Sequence, residues 1–126
     1  MLELTINGAV FQFHFGMGFM REINKKIGKP IDGIPGEKEN IGLRYYVIGI
    51  LNKDTDFLEE VLLAANKSQN PRITRDLLDN YFDDEDTDID ALFSEVLDFL
   101  RRANATKNVV KAVEEALAAE KAKAQK

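Results

Sequence analysis

Residues 1–15 read MLELTINGAVFQFHF, and this stretch specifies a β-hairpin more tightly than any later segment specifies its own fold. Asn7-Gly8 tolerates at both positions the positive φ of a type I′ turn. A turn closed there opposes Ile6 to Ala9, Leu4 to Phe11 and Leu2 to Phe13, all on one face. Glu3, Thr5, Gln12 and His14 fall on the other face, where Val10 is the apolar exception. A one-residue slip would turn Leu and Phe into water, so the register is pinned. A lone two-stranded hairpin is marginal in water, and its apolar face must be covered by the helices that follow. Two strands also leave two open edges. These are lightly charged and contain no proline, so a helix or a strand of another subunit is expected to cover at least one.

Working outward, Phe19, Met20, Ile23 and Ile27 recur at helical spacing, with Gly28 as the stop. Residues 28–40, GKPIDGIPGEKEN, have a loop composition. Leu43, Tyr46, Val47, Ile50 and Leu51 mark a second helix; Tyr45 and Ile48 widen its apolar surface beyond one stripe, which predicts the central, most buried helix. Asp56 with Glu59 resembles a capping box for a third helix ending near Lys67, with Phe57, Leu58, Val61, Leu62 and Ala65 inward. Thr74 can cap a short fourth helix, with Ile73 and Leu78 as a staple and Leu77, Tyr81 and Phe82 inward. Thr87 with Asp90 again resembles a capping box. It precedes the clearest apolar stripe in the chain: Ile89, Leu92, Phe93, Val96, Leu97 and Leu100, closed by Arg101 and Arg102. After a hinge at Asn104, Val109, Val110, Val113, Ala116 and Leu117 line a last helix. The pattern is mostly α, a hairpin packed on a bundle of about five to six helices. Residues 1–117 form one α-rich domain, and 118–126, with only Ala, Glu, Lys and Gln, are expected to fray.

Composition bounds the chemistry. The 126 residues fit one domain, and 44% hydrophobic with 31% charged content suits a globular core. The chain has no cysteine, which removes disulfides, thiolate metal sites and a cysteine nucleophile, and leaves a cytosolic compartment as the default. No run approaches the ~18 apolar residues of a membrane span. A net charge of -5 opposes attraction to nucleic acid or anionic lipid, which makes proteins the expected partners.

In the acidic run, Asp84, Asp86, Asp88, Asp90 and Glu95 stand where a calcium loop places ligands 1, 3, 5, 7 and 12. Position six is Ile89 where such a loop needs glycine, and a ligand at twelve would unwind the best helix, so a solvated cap is the better reading. His14 is the only histidine and lies on the polar face; Ser68 and Ser94 have no histidine near them in sequence, and Gly16-Met17-Gly18 is only a fragment of a phosphate loop. No catalytic, cofactor or metal residue is assigned. Between Asp76 and Asp90 stand eight carboxylates and no Lys or Arg, whereas from residue 101 onward seven basic residues face three acidic ones. A helix-turn-helix reading of DNA is thereby opposed.

The opening LELTINGAVFQFHFGMGFMREINKK and the later LFSEVLDFLRRANATKNVVKAVEE resemble the tail assembly chaperones of long-tailed phages infecting Gram-positive bacteria, over about Leu2 to Glu115. The resemblance implies a non-enzymatic protein that coats the aggregation-prone tape measure protein in the host cytoplasm and is left out of the mature virion. It also implies a homo-oligomer, with a longer frameshifted form of the same chain as a further partner. Apolar helix surface would cover helical segments of the partner; by position the residues are Phe93, Val96, Leu97, Leu100, Val109, Val110, Val113 and Leu117. Self-association would use the hairpin through Leu2, Leu4, Ile6, Phe11 and Phe13. The alternatives are a generic interaction or regulatory adaptor and, more distantly, a calcium-responsive switch.

Overall fold

The computed structural model describes residues 1–26 and 41–124; the loop expected over 28–40 and the stop at Gly28 lie outside them. Strands β1 (Leu2–Ile6) and β2 (Ala9–Phe13) precede six helices among the described residues: α1 (Met17–Lys25), α2 (Ile41–Leu51), α3 (Thr55–Asn66), α4 (Arg75–Asp83), α5 (Ile89–Arg102) and α6 (Lys107–Ala124). Helix makes up 66% of the described residues.

The hairpin has the register its sequence demands, Leu2 opposite Phe13 through Ile6 opposite Ala9. Asn7 and Gly8 turn at φ 53° and 80°, both in the left-handed region that Asn and Gly tolerate. Leu2, Ile6, Phe11 and Phe13 are buried and Leu4 is partly so, while Val10 is exposed on the polar face. Burying each such side chain is worth about 1.5–3 kcal/mol. The cover comes from α3 against β2 and from α5 against β1.

In this register the main-chain groups of residues 3 and 5 on β1, and of 10 and 12 on β2, point away from the partner strand. The β2 edge is covered by the end of α3. The His14 amide donates to Ala65 O at 2.9 Å, and the Asn66 carboxamide donates to Gln12 O at 2.9 Å. Asn66 is 1% exposed. It also donates to Pro71 O at 3.1 Å and accepts from the Ile73 amide at 2.7 Å. One side chain therefore ties the sheet edge, the end of α3 and the approach to α4.

α1 packs its Phe19 edge-on to Phe15, with centroids 5.1 Å apart, and α2 approaches the end of α1 closely. A Cβ on Gly42 would sit 2.5 Å from Ile23 O and 2.6 Å from Asn24 Cα, so only glycine permits this crossing. Asn24 then reaches across to accept from the Leu43 amide at 2.8 Å, satisfying an early donor of α2. α2 contacts α1, α3, α5 and α6, the central place expected of it, but only one face is buried; Tyr45 and Ile48 are exposed.

Two caps differ from the sequence expectation. The N-cap of α3 is Asp54, accepting from the Asp56 amide, because Lys53 turns at φ 56° and leaves Asp54 extended. The N-cap of α5 is Asp88, accepting from the Ala91 amide, while Thr87 instead donates to Tyr81 O at 2.7 Å. Thr74 does cap α4, through the Leu77 amide. At the α5–α6 corner the fully buried Thr106 donates to Leu100 O at 2.6 Å, closing an open carbonyl of α5. α6 continues past Leu117 as helix to Ala124, since Ala, Glu and Lys are strong helix formers, yet Glu115 through Lys123 are exposed.

The seam of α3 with α4 is ionic at its rim. Arg75 donates to Glu59 at 2.9 Å and pairs with Glu60 at 2.7 Å, and Lys26 pairs with Glu60 at 3.0 Å. Withdrawal from water, then a hydrogen bond with Asp79, pushes Glu59 up to about 7 against the pull of Arg75. For Glu60, burial pushes upward but the bonds from Lys26 and Arg75 outweigh it, and its carboxyl stays below the ordinary range. The folded state holds the Glu59 proton more tightly than the unfolded chain does. Its stabilisation is therefore complete below the ordinary glutamate value of 4.5 and is lost as pH rises through about 7.

Two outcomes follow from this packing. Asn66→Leu leaves the buried Ile73 amide and two part-buried carbonyls without their protein partner and lowers the unfolding free energy by about 2–3 kcal/mol in urea titration, with faster exchange at the His14 amide. Unfolding free energy of the native sequence falls by about 2 kcal/mol between pH 4.5 and 7, allowing for solvent at the seam, and Glu59→Gln flattens that slope.

Candidate partner-binding surface

The apolar stripe of α5 and α6 faces inward. Phe93, Val96, Leu100, Val109, Val110 and Val113 are buried and Leu97 is partly buried, all against the rest of this chain; Leu117 is 38% exposed. The hairpin residues Leu2, Ile6, Phe11 and Phe13 lie in the same core, with Leu4 at its margin. Opposite charges clamp the α5–α6 pair: Arg101 Nε and Nη donate to the two Glu114 oxygens at 3.1 and 2.9 Å, and this bond holds the Glu114 carboxyl below its ordinary range.

Other apolar groups do reach the surface. Tyr45 is 49% and Ile48 37% exposed on α2. The Tyr45 ring lies 5.0 Å from the partly buried Phe57 and 5.9 Å from the buried Tyr46, so an aromatic cluster stands where α2 meets α3 with Tyr45 as its exposed member. Aromatic side chains presented at low entropic cost are what protein interfaces favour. The signal in the sequence was the excess of apolar residues around α2, more than one buried face can absorb.

A concavity of about 570 Å³ lies between the hairpin and the α4–α5 turn. Thr5, Ile6 and Asn7 form one wall, Leu77 and Tyr81 part of the floor, and Asp84, Asp86 and Asp88 the opposite wall. Burial pushes the Tyr81 phenol above its ordinary value. The acidic turn is organised by its own bonds, with Asp84 accepting from the Asp86 amide at 2.9 Å and Asp88 capping α5. Ile89 is already the first residue of α5, which is the geometry of a helix cap. Among the described residues no three His, Cys, Asp or Glu side chains converge as a metal site. His14 and the hydroxyl-bearing Ser68 and Ser94 are exposed and lie on separate elements or connections: after β2, after α3 and within α5. No described helix is long and apolar enough to cross a membrane.

Charge is segregated along α5. Its first residue follows the acidic turn, and Arg101 and Arg102 end it about 20 Å away, with Lys107 and Lys111 on the adjoining start of α6.

Comparison with known proteins supplies what this geometry alone does not. The model of the family described as phage tail assembly chaperone protein matches residues 3–115. No curated protein and no solved structure matches. The matched span runs from β1 through the buried turns of α6, hairpin and helical body together, so the chain belongs to the phage tail assembly chaperone family.

Proposed function

We propose that this chain binds the phage tape measure protein and keeps it soluble in the host cytoplasm while the tail assembles, as a stoichiometric partner that does no chemistry and does not enter the finished virion. Family membership across residues 3–115 carries the reading. Its physical support is a surface that offers apolar side chains without exposing the core. Tyr45 and Ile48 beside Phe57, and Leu117 on α6, are available to an amphipathic helix laid against them. Contact through Phe93, Val96, Leu100, Val109, Val110 and Val113 would require α5 and α6 to part, breaking the Arg101–Glu114 clamp; Leu97 and Leu117 are the members of that stripe nearest the surface. A homo-oligomer, including one with a longer form of the chain, would use remaining surface around the hairpin residues Leu2, Leu4, Ile6, Phe11 and Phe13 rather than their buried side chains.

Co-expression tests this directly. With this chain present, the tape measure protein moves into the soluble fraction and the two co-purify. The double substitution Tyr45→Ala with Ile48→Glu lowers recovery about tenfold while leaving the thermal midpoint of the chaperone within a few degrees. A tape measure protein that stays insoluble, with no recovered complex, overturns the proposal.

A further inference from the structure

Two independent features meet in the cleft beside β1. The first is an unused strand edge. The main-chain groups of Glu3 and Thr5 point away from β2, and no described residue hydrogen-bonds to them, whereas the β2 edge is taken by Ala65 and Asn66. Thr5 itself lines the cleft. The second is charge: Asp84, Asp86 and Asp88 line the cleft with Thr5, residues 76–90 contain no Lys or Arg, and the ion pair that Lys53 makes with this run is to Asp90, at 3.3 Å. Leu77 and Tyr81 supply apolar surface between them, beside the polar Asn80 and Thr87.

We infer that this cleft takes an extended segment of a client protein bearing lysine or arginine at alternate positions, added to β1 as a third strand. Each second residue of such a segment would bond the N–H and C=O of Glu3 or Thr5, and the side chains directed across the cleft would meet the three aspartates. The observations disfavour a second copy of this chain as occupant. Pairing β1 with another β1 would bring two acidic walls together, and the basic stretch of this chain, residues 101–124, is largely helical rather than extended. The inference rests on client binding only for the owner of the segment; the site is defined by its own chemistry.

The test uses the whole protein and a blocked synthetic octapeptide, Thr-Lys-Val-Lys-Thr-Lys-Val-Lys, followed by fluorescence anisotropy and by amide exchange in NMR. Binding is expected to slow exchange at Glu3 and Thr5 while leaving Leu4, already paired with Phe11, unchanged. The matching peptide with Glu for Lys does not bind, and N-methylation at alternate residues abolishes binding. Raising salt from about 50 to 500 mM weakens it several-fold. The triple substitution Asp84→Asn, Asp86→Asn and Asp88→Asn keeps the turn and cap acceptors and weakens binding about tenfold. Equal affinity for the Glu peptide, undiminished binding by a triple variant with an unchanged thermal midpoint, or no slowing at Glu3 and Thr5 at saturation overturns the inference. None of these failures would alter the co-expression result, so the two readings fall separately.

Discussion

A two-stranded hairpin needs its apolar face covered, and here the end of α3 shares that cover with α5 and also occupies the β2 edge. Asn66 is the centre of that arrangement. Its carboxamide spends both donors on Gln12 O and Pro71 O and its oxygen on the Ile73 amide. Each bond adds only about 1 kcal/mol, but the Asn66 carboxamide and the Ile73 amide are out of water and would be costly to leave unpaired. The geometry propagates from there. The β2 edge is fixed, the apolar face of the hairpin is aimed at α3 and α5, and the chain after α3 is folded back so that Thr74 can start α4.

The hairpin was legible because two signals agreed, a turn dipeptide with one geometry and an alternation with one register. Helix positions were legible from periodicity, but their starts were not always. Asp54 and Asp88 cap where Asp56 and Thr87 looked as suitable, because the choice depends on Lys53 turning left-handed and on Thr87 finding Tyr81 O, neither of which is written in the local pattern. Asn66 could not be recognised as a hub, since Gln12 lies 54 positions away. The apolar stripe of α5 and α6 marks residues that leave water without saying whose atoms replace it; in this chain the replacement is α2 and the hairpin. Tyr45 and Ile48 look like core by composition, and only the one-sided burial of α2 places them outside.

As a member of the tail assembly chaperone family, the molecule divides its surface by chemistry. An aromatic pad stands at the α2–α3 junction, an acidic cleft at one end of α5 and a cationic corner at the other. Under the proposed function, separate patches of this kind would add several weak contacts, with total affinity set by how many engage at once.

The last turns of α6 carry a mechanical consequence. Val113 is the last residue of that helix buried in the core, and the helix runs on to Ala124, roughly 16 Å farther along its axis. Beyond Glu114, which still pairs with Arg101, Glu115 through Lys123 are exposed, so loosening these turns disturbs no core side chain.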